Sequence, residues 1–336
     1  MEAGILGIEY HVPDRIETNA ELAEENPTWP LDRIEKKCGI SARRIAAEDE
    51  TAGDLGYVAA RKLLDRKIIP DEEIDFLLLC TQSPDHFLPT TACLLQNRLG
   101  LGQHIGAIDF NLGCSGFVYG LFLAKQMVVS GAARNVLLIT AETYTKYIHP
   151  NDRVVRPLFG DGAAATLIGR DAPHGTIGQF VLGTDGQGGE KLIVPAGGAR
   201  MPRTEETGIE EVDLGGSIRS KDHLYMSGMA LMNFGVNVVP EAVRQMMRNE
   251  SLGMDDIDWF VFHQANRFML EHLTNACHVP WEKTALFYEE IGNTVSPTIP
   301  IVMAEYVKDG KITSGQKLLL AGFGVGYSWA TCMVDW

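Results

Sequence analysis

A cysteine held between glycines, Gly113-Cys114-Ser115-Gly116, is where this chain comes nearest to reactive chemistry. Before it runs Ile105 to Phe110, apolar enough to read as a buried strand. After it, Phe117, Val118, Leu121, Phe122, Met127 and Val128 recur at helical spacing until Gly131 supplies a stop. Cys114 therefore stands where a strand turns sharply into a helix, flanked by residues that let a ligand approach the backbone. The first helical turn has unpaired N–H groups and partial positive charge, which favour thiolate over thiol and can hold an oxyanion. A cysteine nucleophile needs that geometry; a small buried cysteine packed as a hydrophobe satisfies it too. Two other residues occupy comparable places. His263 closes the apolar run Trp259-Phe260-Val261-Phe262, and Asn293 stands in Gly292-Asn293-Thr294. Taken singly, the first reads equally as a hydrogen-bonded strand end and the second as a turn residue.

What brings the three together is a repeated plan. Glu72 to Cys80 and Asp255 to His263 are alike, each a polar opening followed by a buried strand. Glu72 matches Asp255, Val136 matches Leu318 and Cys114 matches Asn293, at separations of 183, 182 and 179 residues. Near-constant separation indicates a duplicated βα unit. It divides the chain into residues 1–172, carrying the cysteine, and residues 173–336, carrying the histidine and asparagine. Strands also read over Gly4 to Tyr10 and Asn135 to Ile139, and helices over residues 31–38 and 52–66. Alternation of strand and helix predicts crossovers and a mainly parallel sheet. Ligands bind at the carboxyl ends of such strands, so Cys114, His263 and Asn293, each placed after a strand, can converge on one pocket. Residues 184–222, rich in glycine and charge, read as a surface excursion.

Composition narrows the partners. The 336 residues are 45% apolar and 22% charged, as in ordinary globular proteins, with a net charge of −15 that disfavours nucleic acid and anionic membrane. There is no apolar run of about 18 residues and no basic-then-apolar secretory start. The six cysteines show no Cys-x-x-Cys pair and no zinc spacing, so they read as reduced thiols of a cytoplasmic protein. Gly160-Asp161-Gly162 and Gly322 to Gly326 look like glycine loops, but neither continues as a phosphate-binding loop.

In order along nearly the whole chain stand Gly113-Cys114-Ser115-Gly116-Phe117, Phe159-Gly160-Asp161-Gly162-Ala163, His263-Gln264-Ala265-Asn266, Gly292-Asn293-Thr294 and Gly322-Phe323-Gly324-Val325-Gly326. As a set they resemble the β-ketoacyl-acyl-carrier-protein synthase III family of the thiolase superfamily. The resemblance implies an α/β protein with a thiolase-like five-layered αβαβα fold of two pseudo-symmetric halves, and a homodimer. It implies a Cys114-His263-Asn293 site for decarboxylative Claisen condensation. An acyl primer thioester would load Cys114 and condense with malonyl-acyl-carrier protein to a 3-oxoacyl product, in fatty acid or specialised lipid or polyketide synthesis. The backbone N–H groups of Cys114 and Val325 would form the oxyanion hole. Leu88, Tyr144 and Phe159 fall at positions resembling the acyl-pocket lining, and Arg153 and Asn266 at positions that bind substrate. No metal or redox cofactor is implied; coenzyme A and phosphopantetheine are handles of the substrates.

Neighbouring families fit less well. A thiolase would carry a second cysteine between Gly322 and Gly326, and a plant-type polyketide synthase usually has proline where Val325 stands. An acyltransferase forming an ester or amide on this scaffold, and a non-catalytic partner subunit, are the more distant readings; the latter would be expected to lack part of the triad. Departures gather at the entrance. Arg33 replaces a tryptophan that stacks on the adenine of coenzyme A in the family, with Trp29 nearby. Met229 replaces an asparagine, and Phe268 replaces a basic residue, with Arg267 displaced by one. These changes leave open whether coenzyme A or a carrier protein presents the primer.

Overall fold

Runs of apolar residues build the strands, and their two-residue alternation decides which layer each side chain enters. The fold comes from a computed structural model that describes residues 2–170 and 172–336. Numbered along the chain, the strands of the large sheet are β1 (Ala3–His11), β2 (Phe76–Cys80), β3 (Gly106–Phe110), β4 (Asn135–Glu142), β5 (Gly162–Arg170), β6 (Thr176–Thr184), β7 (Trp259–Phe262), β8 (Lys317–Gly324) and β9 (Ser328–Asp335). The α-helices are α1 (Asn19–Glu25), α2 (Leu31–Cys38), α3 (Ala52–Asp65), α4 (Thr91–Arg98), α5 (Gly116–Ser130), α6 (Gly228–Glu250), α7 (Arg267–Cys277) and α8 (Thr298–Lys308).

The sheet order is β7-β8-β9-β6-β1-β5-β4-β2-β3. Its middle is thin: β1 and β6 meet through the single pair Gly4–Thr176. Two half-sheets result, β1-β5-β4-β2-β3 from one half of the chain and β6-β9-β8-β7 from the other. In β2, Leu77 and Leu79 point outward onto α3 and α4, joining Leu55, Leu63 and Leu95. Leu78 points inward, into a core shared by both half-sheets and the two central helices. That core holds Phe117 and Leu121 of α5, Ile299 and Val302 of α8, and Val261 and Leu320 of the second half-sheet. On the far side Phe260, Phe262 and Leu319 pack on Val243 of α6 and Leu270 of α7. The layers are helix, sheet, helix, sheet, helix, the five-layered αβαβα architecture expected.

The expectation of a mainly parallel sheet is corrected. β2 is parallel to β3 and β4, and β7 to β8, but the remaining neighbours run antiparallel. The reason lies in the connections. Only residues 325–327 separate β8 from β9, a link too short for a crossover, and β4 reaches β5 through residues 143–161 without an intervening α-helix. A second correction concerns Asn293, which does not directly follow a strand. Where the second half should repeat β3, there is one parallel bridge, Phe260–Thr284, and Asn293 itself bridges to Phe159. Of residues 184–222, Thr184 ends β6 and the rest contain only a single-turn 3-10 segment and two-residue strands, in keeping with an excursion. No helix among the described residues is long and apolar enough to cross a membrane.

Candidate active site

Cys114 follows β3 by a short turn, and α5 begins two residues later. The other half of the molecule presses directly on it. A Cβ placed on Gly324, the last residue of β8, would lie 2.8 Å from the Cys114 sulphur, and one on Gly322 would lie 2.9 Å from its carbonyl oxygen. Only glycine allows β8 that close. Ser115 Oγ and Ser328 Oγ, 2.6 Å apart, tie the start of α5 to β9 at the same level. His263 continues β7, its N–H donating to Ala321 O at 2.8 Å, and its Nδ1 lies 2.7 Å from Thr298 Oγ1 at the start of α8. Asn293 is pinned on both sides: its N–H donates to Leu158 O at 2.8 Å, and its Oδ1 accepts from Val295 N at 2.9 Å. The amide is thereby oriented with Nδ2 outward.

Cys114, His263 and Asn293 line one cavity of about 600 Å³. His263 Nε2 and Asn293 Nδ2 have no protein partner among the described residues and are not sealed off, so both open on that cavity. Phe159, Arg153 and Asn266 line it as well. Phe159 packs on Tyr144 with ring centres 5.3 Å apart. Arg153 is half-buried with no ion pair among the described residues, leaving its guanidinium free for an anionic group. Asn266 caps α7, its Oδ1 accepting from Met269 N at 2.9 Å. Tyr144 and Val325 face a second cavity of about 1050 Å³ with Gln82, behind the cysteine turn. Leu88 does not join the others: it is 83% exposed and lines neither cavity, because it sits at the tip of the loop between β2 and α4.

The electrostatics alter one expectation. The backbone N–H groups of Val325 and Cys114 do act on the sulphur and favour its charged form. Burial, followed by the nearby Glu142 carboxyl, outweighs them and pushes the Cys114 thiol up to about 12. The helix terminus alone therefore does not hold a resting thiolate. Burial pushes His263 down to about 3, so the imidazole is neutral.

Glu142 and Thr298 escaped the sequence reading, and Asp161 entered it only as part of a glycine loop. Glu142, at the end of β4, is fully buried; it accepts from Gln82 N and lies 3.1 Å from Ser83 Oγ and 2.8 Å from Ser296 Oγ. Burial lifts it to about 8. Its signal was a lone carboxyl closing the otherwise uncharged run Asn135 to Ala141. Asp161 is also buried, raised to about 6, and accepts from Ala46 N and Thr145 N, so Gly160-Asp161-Gly162 is a structural tie between loops. Thr298 has no counterpart signal at all.

Known proteins resemble the chain over nearly its whole length. A family model described as 3-oxoacyl-(acyl-carrier-protein) synthase III matches residues 108–186, and its C-terminal companion matches residues 247–336. The β-ketoacyl-(acyl-carrier-protein) synthase III of Caldanaerobacter subterraneus subsp. tengcongensis is 35% identical over 99% of this chain and 98% of its own. A crystal structure of a 3-oxoacyl-(acyl-carrier-protein) synthase III superposes with a TM-score of 0.97 at 48% identity, covering 100% of both chains. A priming β-ketosynthase from a polyketide biosynthetic pathway superposes at 0.85 with 30% identity, over 99% of this chain and 96% of the other. With two family models matched in order and full-length similarity on both sides, the chain belongs to the 3-oxoacyl-acyl-carrier-protein synthase III family.

Proposed function

We propose that the protein condenses an acyl primer thioester with malonyl-acyl-carrier protein, releasing carbon dioxide and a 3-oxoacyl product, in fatty acid or polyketide synthesis. The observation that carries this reading is the convergence of a cysteine, an unpartnered imidazole nitrogen and an outward amide nitrogen on one cavity.

Because Cys114 rests as the thiol, acyl capture needs a base, and neutral His263 supplies one at Nε2. The sulphur attacks the primer carbonyl as its proton passes to Nε2. The N–H groups of Cys114 and Val325 hold the transient oxyanion, and the departing thiol takes the proton back. Malonyl thioester then loses carbon dioxide. Asn293 Nδ2 and His263 hold the enolate oxygen, and the enolate carbon attacks the acyl-cysteine. The sulphur leaves as a thiolate, takes a proton from water, and the 3-oxoacyl thioester departs. Phosphopantetheine or coenzyme A enters as part of a substrate, guided by Arg153 and Asn266. Tyr144 and Phe159 wall the acyl group. The protein acts in the cytoplasm as a homodimer, a reading supported by the exposed Phe87 and Leu88 and by the unpaired edge of β3.

Intact-mass analysis with a panel of acyl thioesters, followed by malonyl-acyl-carrier protein, tests this. An acyl mass on Cys114 that is discharged with release of carbon dioxide is expected. An acyl-enzyme that discharges only to an alcohol or amine, without carbon dioxide, would instead identify an ester- or amide-forming acyltransferase.

A further inference from the structure

Thr298, the first residue of α8, sits behind the His263 imidazole. Its Oγ1 lies 2.7 Å from Nδ1 and 3.0 Å from the carbonyl oxygen of Val295. A hydroxyl has one proton to donate. Given to Val295 O, it leaves Oγ1 to accept from Nδ1–H, and Nε2 then presents a lone pair to the cavity. Turned onto Nδ1, it leaves the ring proton on Nε2, which becomes a donor. The ring is 2% exposed, and Nδ1 has no other partner among the described residues. The tautomer of His263 is therefore set by the direction of one hydroxyl.

The two half-reactions proposed above require opposite states of Nε2. Acyl capture needs an acceptor for the Cys114 proton, whereas decarboxylation needs a donor to the enolate oxygen. Asn293 has no such freedom, because Val295 N fixes its Oδ1 and Nδ2 always donates. A doubly protonated ring would donate too, but its charge would be buried, and burial holds the imidazole neutral. We propose that Thr298 is a positioning residue whose hydroxyl turns between Val295 O and His263 Nδ1. It accepts from Nδ1–H while Nε2 takes the Cys114 proton. It donates to Nδ1 once the ring has given up its Nδ1 proton to water and taken one at Nε2 from water in the cavity. His263 is thus proton acceptor in acyl capture and hydrogen-bond donor in decarboxylation. In the proposed resting state the hydroxyl points to Val295 O, whose other nearby donor is Thr298 N at a stretched 3.5 Å. This inference rests on the condensing function and adds a residue to it.

The test compares wild type, Thr298→Ser and Thr298→Val in two assays: formation of acyl-Cys114 by quenched intact mass, and release of carbon dioxide from malonyl thioester without primer. In Thr298→Val, Nδ1 faces a methyl group and the ring keeps its proton on Nε2. Acyl capture is expected to slow at least tenfold, while carbon dioxide release stays within about threefold. Thr298→Ser should hold both within about threefold. Equal loss of both half-reactions in folded Thr298→Val, or loss of neither, overturns the switch. A measurement on wild type needs no variant of Thr298: nitrogen spectra of histidine-labelled protein, with His263 assigned by its absence in His263→Gln, should place the resting proton on Nδ1. A resting proton on Nε2 overturns it. Wild type that performs neither half-reaction would instead overturn the condensing function itself.

Discussion

At the scale of single residues, the chemistry turns on two groups that burial shifts in opposite directions. Cys114 is held as a thiol up to about pH 12, and His263 as a neutral base down to about pH 3. A cysteine of low pKa reaches full reactivity near neutrality, whereas this one should not. The rate of Cys114 alkylation by iodoacetamide is expected to climb steadily between pH 6.5 and 9.5; a plateau below pH 8.5 would show a thiolate at rest. The proposed mechanism divides the labour between Cys114 and Asn293. Cys114→Ala should abolish the acyl-enzyme yet leave measurable release of carbon dioxide from malonyl thioester. Asn293→Ala should still form acyl-cysteine, while decarboxylation falls by about two orders of magnitude, the usual effect of removing one such donor. Equal loss of both half-reactions in folded Asn293→Ala would reduce Asn293 to a turn residue.

At the scale of elements, the site depends on ties that cross between the halves. Asn293 lies on the approach to α8 and Thr298 opens that helix, and the approach is bound to β4 by the Ser296–Glu142 contact. Between them Val295 adopts φ +66°, a left-handed conformation that a β-branched residue rarely takes and that costs on the order of 1–3 kcal/mol. Its N–H orients Asn293 and its carbonyl meets Thr298 behind His263, so the strained residue touches the supports of both side chains. Glu142 gives this tie a pH signature. The folded protein keeps its proton to about pH 8, while the unfolded chain releases it near the ordinary value of 4.5. The folded state thus binds the extra proton within that window, and stability falls as pH rises through it, by about 1 kcal/mol per pH unit. Asp161, raised to about 6, is mostly ionised by pH 6.5, and His263, half titrated there in the unfolded chain at its ordinary value of 6.5, adds only a small rise in stability that wild type and Glu142→Gln share. Melting temperature should therefore drop from pH 6.5 to 8 in wild type and stay nearly level in Glu142→Gln. Parallel curves would mean that Glu142 carries no excess proton.

The elements also show what the chain could and could not reveal before folding. Cys114 was legible because a strand, a glycine turn and a helix adjoin it in sequence, and Leu77 to Leu79 announced a strand buried on both faces. Direction was not legible: the runs that became β5 and β9 look the same whether paired parallel or antiparallel, and only short connections decide it. Thr298 lies 35 positions beyond His263 and becomes significant only when α8 packs beside the end of β7. Glu142 was visible as a charge after an apolar run, but its partners Gln82 and Ser296 come from distant loops. Leu88, a position matched by family pattern, has its side chain left exposed by the single chain.

At the scale of the whole molecule, the cavity is reached through a mouth unlike the family pattern, and that bears on which thioester is used. Met229 is 79% exposed there, Phe268 lies beneath the Lys37 ammonium at 4.3 Å, and Arg33 is exposed on α2 with no aromatic ring in its place. Trp29 is only half-buried and lines neither cavity, so it does not take the missing stacking role. A net charge of −15 adds a general repulsion toward coenzyme A, a polyanion, which the free guanidinium of Arg153 offsets only locally. Little remains to reward the nucleotide end of the donor. Acylation of Cys114 by one acyl group carried in turn on coenzyme A, on carrier protein and on a short neutral thiol should therefore differ by less than about a hundredfold. A preference for coenzyme A larger than that, nearly 3 kcal/mol in the barrier, would require a nucleotide contact that this entrance does not display. Restoring the aromatic ring supplies the converse check. Arg33→Trp should raise the relative rate with coenzyme A while leaving the short thiol unchanged, because the added ring can act only on a donor that carries adenine.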